Sequence, residues 1–103
     1  MPQVRRSLES EKDLIGIWLH IAEDDPIAAD AVLDFLEEQF RLIAEMPKIG
    51  RNRDDLWPGG YCFNAGKNSW RSQFLVFYAL VDDGIEIARV FEGHRNIEPG
   101  WFE

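Results

Sequence analysis

The sequence predicts an α+β domain: an N-terminal helical hairpin packed across one face of a small, mostly antiparallel β-sheet. Three observations predict it. Apolar residues recur at helical spacing through the first 46 positions, alternation and a continuous apolar run replace that period after Gly60, and prolines and glycines fall where the periods change. At 103 residues the chain suits one domain, taken as residues 1–103, and its 46% hydrophobic content can build a core.

The elements follow in order. Val4 to Ser7 is expected to add an edge strand, with Arg5 and Arg6 discouraging further pairing. From Leu8 to Ala22 the positions Leu14, Ile15, Trp18, Leu19 and Ala22 recur as a helical stripe, and Ser10 with Asp13 has the form of a capping pair. Asp25 then offers an N-cap and Pro26 a first-turn residue with no N–H to lose, so a second helix begins there. Its expected stripe is Ala28, Ala31, Val32, Phe35, Leu36, Phe40 and Ile43, with a Glu37–Arg41 pair four residues apart on the polar side. Pro47 ends it.

Past Gly60, "YCF" reads as a short strand and "NAGKN" as a turn. "SWRSQFLVFYALV" reads as a central strand, because its apolar run at 74–81 suits burial on both faces. Asp83-Gly84 suits a tight hairpin. "IEIARVF" alternates, which predicts Ile85, Ile87, Arg89 and Phe91 on one face and Glu86, Ala88, Val90 and Glu92 on the other.

Charge excludes some function classes. A formal net charge of −8 argues against wholesale binding to a phosphate backbone, so the chain alone is not expected to bind DNA. The charge is uneven: residues 1–46 carry −7, whereas residues 47–97 carry +1. Charged residues interrupt every segment that approaches the roughly 18 apolar residues of a membrane span, so no membrane role is expected. The single Cys62 cannot close an internal disulfide and no apolar signal segment opens the chain, so the expected compartment is the cytoplasm.

Motifs for metal, nucleotide or cofactor chemistry are absent: the sequence has no Gly-rich phosphate loop, no HExxH and no cysteine pair. No cofactor or metal is expected. Cys62, between aromatic residues, reads as a small buried hydrophobe. The residues with recognition chemistry are Lys48, Arg51, Arg53, Arg71, Arg89, His94 and Arg95, whose planar or cationic heads suit carboxylates, phosphates and aromatic faces. The residues alone leave two readings open. Either these groups meet at one solvent-facing spot, or each pairs with a nearby acid of its own chain. Trp101 and Phe102 near the end either dock back on the core or meet a partner.

With these elements in order, the chain resembles the ParE branch of the RelE/ParE superfamily, the small toxins of type II toxin–antitoxin modules. The resemblance spans roughly residues 5–97 and rests on "KDLIGIWLHIAEDDPIAADAVLDFLEEQF", "MPKIGRNRDDLWPGG", "FLVFY" and "DGIEIARVFEGHRNI". It implies a β-α-α-β-β-β fold, a cytoplasmic toxin that inhibits DNA gyrase by binding, and a cognate antitoxin that neutralises it in a hetero-oligomer. Lys48, Arg51, Arg53, Arg71, Arg89, His94 and Arg95 then become target contacts, and Trp101 and Phe102 antitoxin contacts. The resemblance also brings an alternative, a metal-independent, ribosome-dependent endoribonuclease using Arg71, His94 and Arg95. A non-toxic regulatory relative is a third possibility. The missing lysine-rich surface favours binding over catalysis.

Overall fold

The computed structural model describes residues 2–66, 73–93 and 102. The elements run β1 (Gln3–Arg6), α1 (Leu8–Ala22), α2 (Pro26–Glu45), β2 (Arg51–Asn52), β3 (Gly60–Ala65), β4 (Phe74–Val81) and β5 (Gly84–Glu92). This is the expected α+β architecture. The five strands form one sheet in the order β1-β5-β4-β3-β2, with β1 parallel to β5 and the other pairs antiparallel.

Local chemistry sets the helix starts. Ser7, rather than Ser10, caps α1: its Oγ accepts from Ser10 N at 3.0 Å and donates to Ala88 O at 2.8 Å, fastening the helix to β5. Asp25 caps α2 as expected, accepting from Ile27 N and Ala28 N, with Pro26 opening the first turn. Arg6, arriving from β1, donates to Glu37 Oε1 at 3.0 Å, taking the acid expected to face Arg41.

The core lies between the hairpin and one face of the sheet. Leu14 and Ile17 of α1, and Val32, Leu36, Phe40, Ile43 and Ala44 of α2, pack on Phe74, Val76, Tyr78, Ile85, Ile87 and Val90. Two expected stripes shift accordingly. On α1 the buried line is Ser10, Leu14 and Ile17, while Ile15 and Leu19 stay 61% and 56% exposed. On α2, Ala29 is buried where Ala28 and Ala31 were expected. The other sheet face carries a smaller cluster of Leu56, Phe77 and Phe91, with Trp57, Cys62, Leu75 and Phe102 against it. Strand β4 is therefore central and packed on both faces, as its apolar run predicts.

Strand boundaries differ from expectation in three places. β3 continues through Asn64 and Ala65, which pair with Leu75 and Phe74 instead of turning. The β4–β5 turn is Asp82-Asp83, one residue early, since Val81 already pairs with Gly84. Gly84 is required for another reason: β1 lies so close that a Cβ there would run into the Gln3 backbone.

The third difference is a bulge. Phe77 pairs with Arg89 and Tyr78 with Ile87, leaving Ala88 as an extra residue in β5. Simple alternation therefore fails after Ile87. Val90 joins Ile85 and Ile87 in the hairpin-side core, and Phe91 turns to the opposite face.

Candidate functional site

The basic stretch after α2 is held by a tyrosine. Tyr78, buried in β4, donates its hydroxyl to Pro47 O at 2.8 Å and accepts from Gly50 N at 3.0 Å. Burial raises the Tyr78 pKa, so the hydroxyl keeps the proton that it donates. Gly50 has to be glycine, because a Cβ would meet the Tyr78 oxygen at 2.6 Å and the Cys62 carbonyl at 2.9 Å. Residues 47–50 are thus pinned to the sheet, and the chain leaves the pin as β2, an edge strand that composition did not reveal.

Pairing puts Arg51, Cys62, Phe77 and Arg89 in one row across four strands. Residues directly opposite in an antiparallel ladder share a face. Arg51 and Arg89 therefore belong to the face away from the helices, three strand spacings or roughly 14 Å apart. Between them sit the aromatic residues. Trp57 stacks on Phe102 with ring centroids 4.2 Å apart, and Phe77 lies 5.0 Å from Phe102 and 5.7 Å from Phe91. A cavity of about 170 Å³ opens beside them, lined by Ser7, Glu9, Trp57, Glu86, Ala88, Arg89 and Phe102.

The described cations do not gather into one anion site. Arg53 makes a two-pronged bond to Asp55, Nε to Oδ1 at 3.0 Å and Nη2 to Oδ2 at 2.9 Å. That pair raises the Arg53 pKa and lowers the Asp55 pKa through the hydrogen bonds themselves. Arg89 is committed to Asp13 by Nε at 2.8 Å and Nη2 at 3.0 Å, and its guanidinium stands 4.6 Å over the Phe91 ring. Lys48 and Arg51 are exposed, and no hydrogen bond or ion pair engages their side chains among the described residues. Arg71, His94, Arg95 and Trp101 lie outside the described residues.

Asp13 was expected to cap a helix and does something else. Besides Arg89, it accepts from Val90 N at 3.0 Å, satisfying a ladder N–H of β5 beyond the end of the short β1. Cys62 is partly buried, and that burial pushes its thiol up to about 11. It is protonated at neutral pH and a poor nucleophile. No cluster of His, Cys, Asp or Glu suited to a metal ion occurs among the described residues, and no described helix is long and apolar enough to cross a membrane.

A second surface lies on the hairpin. Leu14, Ile15, Trp18 and Leu19 of α1 face Leu33, Glu37 and Phe40 of α2 across a groove of about 450 Å³, with Arg6 and Glu11 also on its wall. Trp18 donates Nε1 to Asp30 Oδ1 at 2.8 Å, bridging the helices. The groove explains the overwide α1 stripe. Leu14 and Ile17 are buried beneath the hairpin, while Ile15, Trp18 and Leu19 border open space.

Known proteins share the sequence pattern and the fold. The curated protein Toxin ParE3 of Caulobacter vibrioides is 29% identical over 98 residues, spanning 94% of this chain and 92% of its own length. A solved structure described as the chromosomal ParDE TA system from P. aeruginosa superposes with a TM-score of 0.70 at 19% identity, covering 91% of this chain and 98% of the other, which establishes the shared fold. Residues 4–97 match the family described as the ParE toxin of type II toxin-antitoxin system, parDE, and so nearly the whole domain, from the edge strand β1 to beyond β5, belongs to the ParE toxin family.

Proposed function

We propose that the chain is the toxin of a type II toxin–antitoxin module, that it acts in the cytoplasm by binding and inhibiting DNA gyrase, and that a cognate antitoxin neutralises it. Family membership over residues 4–97 is the observation that carries this reading. The geometry suggests how the work divides between surfaces. Lys48 and Arg51 are exposed and make no side-chain hydrogen bond or ion pair among the described residues, on a segment whose backbone Tyr78 anchors at Pro47 and Gly50. Cations with prepaid positions are suited to recognising carboxylates on a target. Arg53 and Arg89 contribute less directly, since each would have to leave an acid first. The hairpin groove, apolar and open, is the seat proposed for the antitoxin.

A DNA supercoiling assay with purified chain tests the target. Inhibition at near-stoichiometric ratio is expected, and the double variant Lys48→Ala/Arg51→Ala should weaken it at least about tenfold, the loss of two charge-assisted contacts. Full gyrase activity in a large excess of the chain would refute the gyrase reading.

A further inference from the structure

The groove on the hairpin has a charge as well as a shape, and the two together select an occupant. Its lips expose Ile15 and Leu19 to more than half, and Leu8 and Ile27 stand 67% and 81% exposed farther along the hairpin. An apolar strip on a 15-residue helix is about 22 Å long, the length of a partner helix of four turns. Around it the charge is one-sided. Residues 7–46 carry eleven acids against Lys12 and Arg41. Arg6, the cation in the groove wall, is already paired with Glu37. Glu11 on the wall and Asp34, one helical turn before Glu37, have no side-chain hydrogen bond or ion pair among the described residues.

Two occupants fit poorly. A second copy would set one strongly acidic hairpin against another, and like charges brought together at a contact are repelled. The chain's own Phe102 is committed to Trp57 and Phe77 on the opposite side of the sheet. A neutral or acidic segment would cover Glu11 without supplying a counter-charge, and a covered, unpaired carboxylate is costly. We infer that the segment seated here is a basic amphipathic helix, with one apolar stripe at i, i+4, i+7 and i+11 and lysines or arginines flanking it. The inference rests on the groove being the antitoxin's seat, and it fixes the sign of the charge that segment carries.

Two synthetic helical peptides test it, sharing one leucine stripe and differing only in lysine or glutamate at the flanking positions. Each is titrated calorimetrically into the full chain at low and high salt. The lysine peptide should bind at least about tenfold more tightly at low salt, with the advantage shrinking as salt screens it. Glu11→Gln with Asp34→Asn should narrow the gap, and Ile15→Asp should abolish binding of both peptides while leaving the circular dichroism of the fold unchanged. Equal affinities, a preference for the glutamate peptide, or lysine-peptide binding that survives Ile15→Asp would overturn the inference. Growth arrest and gyrase inhibition are read separately, so failure of the toxin reading would show there and not in the peptide ranking.

Discussion

Asp13 carries three bonds on one carboxylate, two from Arg89 and one from Val90 N, and both partners of the ion pair are largely shielded from solvent. Asp13→Ala would strand a guanidinium and a ladder N–H together. We expect a loss of about 2–4 kcal/mol in urea unfolding, above that of an exposed pair. By contrast, Arg5→Ala at the exposed Arg5–Asp83 pair should cost less than about 1 kcal/mol. Cys62 gives a pH prediction. The folded chain holds the thiol proton to about 11, while an unfolded chain releases it from about 9.0, so stability should be unaffected at neutral pH and fall as pH rises between those values. Because Cys62 is the single cysteine, thiol labelling at pH 8 reads this directly, and it should run at least about tenfold slower folded than in urea. The sequence disclosed Asp25 fully, because a cap bonds only neighbours two and three residues away. It could not disclose Asp13, whose partners lie 76 and 77 positions off along the chain.

The Tyr78 pin couples α2 to the sheet through a hydroxyl, and its removal is measurable. Tyr78→Phe should cost about 1–2 kcal/mol, and Gly50→Ala should cost less in that background than in the native one, since the clashing oxygen is gone. β5 makes a second case. Deleting Ala88 would close the bulge and restore plain alternation with Val90 still on the hairpin side and Phe91 still on the opposite face. Such a protein should fold, at a cost of about 1 kcal/mol in urea unfolding for the lost Ser7 hydroxyl bond to Ala88 O, and Ala88→Ser should fold as well. Helices and the β4 run were readable because their period is set by the chain's own geometry over many residues. The bulge was not, since one extra residue in "IEIARVF" leaves no mark until a neighbouring strand fixes the count. Neither was β2, whose two residues are too few to show a period. The α1 stripe misled for an instructive reason. Ile15, Trp18 and Leu19 obey the helical period as faithfully as core residues do, but they border the open groove instead of the core.

Charge distributes the domain into unlike halves, an acidic hairpin and a sheet edge where Lys48 and Arg51 make no ion pair among the described residues. Self-repulsion within the hairpin should make the isolated chain more stable as salt is added, read as a rise in melting temperature between low and moderate ionic strength. Such a division places opposite electrostatic faces on one small protein. Composition revealed the uneven charge but not its arrangement: of the two readings left open, Arg53 and Arg89 follow the second, because Asp55 and Asp13 each claim a guanidinium. One topological detail bears on the chain's birth. Among the described residues, β1, the first strand in the chain, has β5, the last, as its only neighbour in the sheet. On the ribosome the oily underside of the hairpin must therefore wait, without a floor, until the β4–β5 segment has been made.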